Sequence, residues 1–376
     1  MKAITNGIII LKDKLLHGKT ILFNEKIIDI TDTVPKDAEV IDAKGGYIGA
    51  GLIDIHIHGA GGYDAMDASE TGLQVISETV AKSGVTSFLP TTMTMSQQTI
   101  EKALQCIQQV RMSQTSGAKI LGCHLEGPFI SNTYKGAQNP LYIQKPTYEW
   151  LERYKELIKI MTLAPEEDED FNFIKEVKRK TSIVLSMGHT STTFKEAKEA
   201  IELGISHATH TFNGMSPFNH REPGAVGAIL TQDITAELIA DKIHVNPQLF
   251  EWFYEVKGKE RVVLITDSMR AGGMPNGVYD LGGQEVIVEN GSARLRSGSL
   301  AGSVLSLNQA VKNYWEETTL SLPNVYRLAS LNPATVIGVN ENKGSIEIGK
   351  DADLVVWNER LEAQFTILEG KIIYQR

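Results

Sequence analysis

A chain of 376 residues has room for one large domain and a small one, or two of middling size, and for a sizeable buried core. Hydrophobic residues make up 42% and charged residues 22%, with 33 Gly and 12 Pro, which excludes a disordered or collagen-like chain. The 46 acidic against 37 basic residues give a net charge of −9, which argues against a sequence-independent nucleic-acid binder and against an anionic membrane surface, because both partners need a basic face. Cys106 and Cys123 are too few for a disulfide framework and point to a reducing compartment, the cytoplasm. Lys12, Asp13 and Lys14 cut the apolar run 8–11 far short of a signal or membrane segment.

Up to about Tyr47 the chain alternates short β-type runs (7–11, 20–23, 26–31 and 38–42) with polar turns. From about Gly51 apolar strands alternate with amphipathic helical stretches. The strands are expected near 52–58, 85–90, 120–126, 159–164, 183–189, 207–213, 236–244 and 262–267. The helical stretches at 69–82, 97–112, 168–180, 193–203 and 247–257 stand behind Ser, Thr, Asp or Asn starters. Eight such units predict an α/β fold, a (β/α)8 barrel. A Gly-rich excursion over 271–299 carries three hairpin-like strands (278–281, 285–289 and 293–295), helical pattern resumes at 303–317 and 325–331, and β alternation returns from Lys343. Both ends are β-rich, so the simplest topology joins residues 1–50 and 341–376 into one small β-sandwich beside a barrel of residues 51–340.

In Ile53-Asp54-Ile55-His56-Ile57-His58 the two-residue period puts the isoleucines on one face and Asp54, His56 and His58 on the other. In a barrel the polar face points inward at the C-terminal end of the first strand, where active sites of this fold are built. His-x-His alone is a common pattern and is often just a pair of core histidines. Four more ligand types end other expected strands: Glu126, His189, His210 and Asp267. Each has an ordinary reading, a loop-edge carboxylate for Glu126, a hydrogen-bonded barrel histidine for His189 and His210, an N-cap for Asp267. Their coincidence points to a metal centre, and imidazole with carboxylate suits Zn2+ or Fe2+.

These residues carry a family resemblance. The run from Gly49 to Gly59 and the terminal 344–355 segment resemble the amidohydrolase superfamily of metal-dependent barrel hydrolases. His124-Leu125-Glu126-Gly127-Pro128-Phe129, Lys135-Gly136-Ala137, Gly188-His189-Thr190, the 210–215 run, Arg221-Glu222-Pro223-Gly224, the 239–244 run, Thr266-Asp267 and Leu300-Ala301-Gly302-Ser303 resemble, collinearly over the whole chain, its N-acetylglucosamine-6-phosphate deacetylase family.

The resemblance implies hydrolysis of the acetamide of an amino-sugar phosphate to the free amine and acetate. It implies that Glu126, His189 and His210 hold the main divalent ion. The fourth strand ends Thr162-Leu163-Ala164-Pro165 without a lysine, so Glu126 is the natural bridge to a second ion, for which His56 and His58 are both present; the expectation is one or two ions per chain. Asp267 is expected to take the proton from the attacking water and return it to the leaving amine, or to ligate the second ion, roles that are compatible. Family positions for substrate binding map onto Ala137, Gln138, Asn213, Gly214, Arg221, His244, Leu300, Ala301 and Gly302. Arg221, with its fixed fork of donors, is expected to bind phosphate across a homodimer interface, the alternative being an ion pair with Glu222 or a neighbour. Gln138 stands where the family often has histidine. His124, two residues before Glu126, is expected behind the site; His17, His207 and His220 carry no partner signature, Met93 and Met95 read as filler, and the acidic run 166–170 reads as a solvated loop and helix start. The alternatives are an N-acetylgalactosamine-6-phosphate deacetylase, another deacylase of the superfamily, and a non-catalytic barrel binding protein.

Overall fold

The computed structural model describes residues 1–114 and 116–376. Eight parallel strands form the barrel: β1 (Leu52–Ile57), β2 (Val85–Pro90), β3 (Cys123–Glu126), β4 (Ile158–Leu163), β5 (Val184–Met187), β6 (Ile205–Ala208), β7 (Thr235–Ile239) and β8 (Val262–Ile265). β3 to β8 make one continuous parallel sheet, and β1 pairs with β2 in another. Single parallel bridges, Thr91 to His124 and Ile57 to Ser268, close the two arcs into a ring.

Apart from α5, the helices that follow the barrel strands form where the apolar spacing predicts them. α1 (Glu70–Ala81) and α2 (Gln97–Ser113) are capped by Ser69 and Ser96, and α4 (Phe194–Leu203) opens on a capping box between Thr193 and Glu196. In α3 (Asn172–Lys180), the Asp168 carboxylate accepts the Phe173 and Ile174 amides at 3.0 and 2.8 Å, so part of the acidic run serves the helix start. α5 (Gly224–Thr231) is apolar nearly all round and carries no periodic pattern. α6 (Phe250–Lys257) and α7 (Leu307–Glu316) complete the set that follows the barrel strands.

Two expectations need correction. The third crossover contains no α-helix among the described residues: Pro128, Gly136, Pro140 and Pro146 interrupt it, and only short 3-10 turns form at Pro140–Tyr142 and Leu151–Tyr154. Strands 5, 6, 7 and 8 also end two to five residues earlier than expected, at Met187, Ala208, Ile239 and Ile265, because the chain turns out of the sheet beyond them.

Both termini build the β-sandwich. One sheet holds Lys2–Thr5, Thr20–Phe23, Ile27–Thr31 and Glu39–Asp42; the other pairs Ile8–Ile10, Leu15–Leu16 and Tyr47–Ala50 with the C-terminal Leu354–Trp357, Ala363–Leu368 and Lys371–Gln375. Strand alternation on Leu354–Trp357 joins the two cores: Leu354 and Val356 face the sandwich interior, whereas Val355 and Trp357 pack with the barrel. A side chain at Gly84 would overlap the Trp357 ring. The Tyr326 hydroxyl donates to the Ala50 carbonyl at 2.6 Å and accepts the Trp357 indole N–H at 3.1 Å.

Tyr326→Phe therefore leaves a buried carbonyl and a buried indole N–H unpaired at this joint. Denaturant unfolding should show a loss of about 1 to 3 kcal/mol with little change in the folded protein's circular dichroism, and an unchanged midpoint would contradict this account of the joint.

Candidate active site

The inward face of β1 and the turns that leave the other strands bring the expected ligands together at the C-terminal mouth of the barrel. His56 lies near the end of β1 and His58 just beyond it, Glu126 ends β3, and His189, His210 and Asp267 sit two residues past β5, β6 and β8. The last three adopt positive φ values of 47, 29 and 49°. Ordinary side chains rarely adopt this conformation, which here folds each group back over the barrel axis.

Their ring nitrogens converge. Glu126 Oε1 lies 3.2 Å from His189 Nε2, 3.1 Å from His210 Nε2 and 3.4 Å from His56 Nε2. The other oxygen, Oε2, is 3.4 Å from His58 Nε2. Glu126 thus faces two groups that could each hold an ion, His189 with His210 and His56 with His58. Asp267 Oδ1 flanks the second group, 3.2 Å from His58 Nε2 and 3.5 Å from His56 Nε2.

The tautomers follow from the partners on the far side of each ring. His58 Nδ1 meets the Thr91 carbonyl at 3.2 Å and His189 Nδ1 meets the Tyr134 carbonyl at 2.9 Å; a carbonyl only accepts, so both nitrogens carry protons. His56 Nδ1 donates to the Glu237 carboxylate at 2.9 Å. In its neutral form each of these rings then aims a bare Nε2 lone pair into the site. Two consequences favour a cation. His56 Nε2 is buried with no hydrogen-bond partner among the described residues, and the Nε2 atoms of His189 and His210 stand 3.1 Å apart. His210 Nδ1 is buried without a partner among the described residues, so no outside acceptor fixes its tautomer, and the spacing of the two Nε2 atoms is close to the roughly 3.3 Å between two nitrogens on one tetrahedral Zn2+. The donor set therefore fits a divalent ion. Burial works against charge on His56, yet Glu237, Asp267 and Glu126 outweigh it and raise its pKa to about 9, a measure of how negative the site is.

A cavity of about 220 Å³ opens onto these groups. Of the expected substrate residues, Ala137, Gln138, Asn213, Gly214, His244, Leu300 and Gly302 line it, with Met93 and Leu281 as an apolar wall that sequence reasoning missed. His244 is oriented by Asp241, whose Oδ2 lies 2.7 Å from its Nδ1. Ala301 does not line the cavity; it is buried under the hairpin excursion with its amide on Ala293. Gln138 spends its amide inside the protein, accepting from the Thr94 N–H at 2.7 Å and donating to Glu126 Oε2 at 2.6 Å. Arg221 is exposed, bonds only to its neighbours Asn219 and His220, makes no ion pair among the described residues, and does not line its own chain's cavity.

His124 lies beneath the floor, with Nδ1 on the Ile55 carbonyl and Nε2 2.7 Å from the Thr162 hydroxyl. Burial and the neighbouring His56 push its pKa down to about 3, so it stays neutral and is a poor substitute for Asp267 as a base. Asp54, on the same face of β1, is also below the cavity; it accepts from the Thr266 hydroxyl at 2.6 Å, and burial pushes it up to about 7. Glu237, on β7, was not foreseen. An acid inside the apolar run Ala236-Glu237-Leu238-Ile239 is the signal that could have found it.

The family model described as the amidohydrolase family matches residues 47–373. The chain belongs to the amidohydrolase family. This amidohydrolase is 43% identical over 332 residues to the N-acetylglucosamine-6-phosphate deacetylase of Bacillus subtilis (strain 168), covering 86% of this chain and 84% of that protein. It is 38% identical over 325 residues to the N-acetylgalactosamine-6-phosphate deacetylase of Escherichia coli O157:H7, covering 85% and 86%. The crystal structure of N-acetylglucosamine-6-phosphate deacetylase from Pasteurella multocida superposes with a TM-score of 0.93 at 31% identity, covering 99% of each chain.

Proposed function

We infer that this amidohydrolase hydrolyses the acetamide of N-acetyl-D-glucosamine 6-phosphate to D-glucosamine 6-phosphate and acetate, a step of amino-sugar catabolism. The observation that carries the reading is the convergence of four imidazoles and two carboxylates at the barrel mouth in a chain so similar to the Bacillus subtilis enzyme. The roles below rest on that geometry. The same reading takes residues 1–50 and 341–376 as the sandwich domain and 51–340 as the catalytic domain, in a cytoplasmic homodimer that needs neither nucleic acid nor membrane. No described helix is long and apolar enough to cross a membrane.

Glu126, His189 and His210 would hold the main ion, Zn2+ or Fe2+; His56 and His58, with Glu126 between and Asp267 alongside, would hold a second. A divalent ion at such a site polarises the amide carbonyl and lowers the pKa of water towards ~7. Asp267 accepts the proton of the attacking water and delivers it to the amine nitrogen as the C–N bond breaks. It is suited to this because, although burial opposes the charge, His56, His58 and His210 outweigh it and hold the carboxyl below its ordinary range, while its 8% exposure opens to the cavity. Ala137, Asn213, Gly214, His244, Leu300 and Gly302 surround the sugar; Gln138 acts chiefly on Glu126. Arg221 lies outside its own cavity, which supports a dimer in which it meets the phosphate of the substrate bound by the partner subunit.

The second reading, the galactosamine epimer, is favoured by the likeness to the Escherichia coli protein. Acetate release from metal-loaded protein with both epimeric sugar phosphates and an unphosphorylated control tests the proposal; the glucosamine epimer should have the highest kcat/KM, and a preference for the galactosamine epimer would replace it with the second reading.

Asp267→Asn keeps the side chain's size but cannot take a proton, so kcat should fall at least about 10²-fold while substrate binding stays within a few-fold. Ion content measured on the same sample separates loss of the base from loss of metal, and a wild-type kcat would remove Asp267 from proton transfer. Arg221→Ala should lose about 2 to 5 kcal/mol in kcat/KM on the phosphorylated substrate and little on the unphosphorylated one. Mixing Arg221→Ala with Asp267→Asn subunits should restore part of the activity in heterodimers; none in verified heterodimers would place Arg221 in its own subunit's site.

A further inference from the structure

We propose that Glu237 is a positioning residue for the metal centre, its carboxylate holding the His56 ring and the His210 main chain in register so that the two ion positions are built together. The inference rests on the reading of His56 and His210 as ligands and adds a residue that does not line the cavity.

Glu237 is fully buried on β7, between Ala236 and Leu238, and no Lys or Arg pairs with it among the described residues. A carboxylate in such a place costs several kcal/mol in desolvation unless donors converge on it. Three do. Oε2 accepts the His56 Nδ1–H at 2.9 Å and the His210 main-chain N–H at 2.9 Å, and Oε1 lies 3.2 Å from His207 Nε2. His207 is itself held by the Thr235 hydroxyl, 2.6 Å from its Nδ1.

Each contact has a consequence in the site. The bond to Nδ1 fixes the proton of His56 on its far side, turns the bare Nε2 towards Glu126, and makes that nitrogen a better donor to a cation. The bond to the His210 amide pins a residue whose φ of 29° is unfavourable, and that turn aims the ring at His189. One carboxylate oxygen thus grips a member of each group that could hold an ion. A purely structural role at this position could be filled by an apolar side chain of the same volume. Retaining a buried acid makes sense when its partners need exact orientation.

The test titrates chelator-treated, full-length protein with Co2+, following ion number, affinity and the visible absorption bands of bound Co2+, for wild type, Glu237→Leu, Glu237→Gln and His56→Ala. Wild type should bind two ions, and His56→Ala should bind only one tightly. Glu237→Leu should weaken at least one ion about 10- to 100-fold and shift the Co2+ bands, while circular dichroism still reports a cooperative melt. Glu237→Gln should lose less, because its amide oxygen can still accept from His56 and His210; its spectrum decides the matter if the leucine variant does not fold. Two ions in wild type with unchanged affinities and bands in the folded Glu237 variants would overturn this inference and leave the ligand assignment standing. One ion in both wild type and His56→Ala, with identical bands, would overturn the assignment of His56 and the inference with it.

Discussion

Imidazoles whose outer nitrogens are committed to acceptors, leaving their inner nitrogens turned on one carboxylate, are the constraint on which this site is built. His58, His189 and His56 each give their one proton to an acceptor on the outside of the ring, Thr91, Tyr134 and Glu237, so their lone pairs meet around Glu126. Such a cluster is unstable in a low-dielectric interior until positive charge enters it, and two carboxylates beside it make that charge welcome. The outward acceptors matter as much as the ligands, since a different tautomer would put N–H groups where the ion belongs.

The barrel supplies the rigidity this arrangement needs. β1 to β8 form a ring of parallel strands with packed interior side chains, and the site residues hang from strand ends or the first turn beyond them. His189, His210 and Asp267 occupy left-handed backbone conformations there, a cost of order 1 to 3 kcal/mol each that surrounding structure must absorb. The joint of Tyr326, Trp357 and Ala50 ties the terminal sandwich to the outside of the same barrel, so the strand carrying His56 begins at a fixed point.

Much of this was legible in the residues. Two-residue alternation puts Asp54, His56 and His58 on the inner face of β1, and ligand types at the ends of strands 3, 5, 6 and 8 point to one cluster. The limits have physical causes. Strand ends were overrun because the chain turns by positive φ at His189, His210 and Lys242, which sequence periodicity does not register. The third crossover lacks a helix because Pro and Gly interrupt it. Glu237 pairs with His56 across 181 positions of sequence, and Met93 and Leu281 meet only through the hairpin excursion, so no local pattern could connect them. Gln138 illustrates the converse: its position was anticipated on the cavity wall, but its amide turns inward to Glu126 because the Thr94 N–H fixes its other end.

The central claim is that the facing nitrogens and Glu126 enclose a divalent ion. Anomalous diffraction recorded on both sides of the absorption edge of the bound metal, from crystals of the active protein, tests it most directly. The account predicts a peak within about 2.0 to 2.2 Å of a Glu126 oxygen and of the Nε2 atoms of His189 and His210. Fully active protein in which that position carries no anomalous signal, or in which the metal lies elsewhere in the barrel, would contradict it.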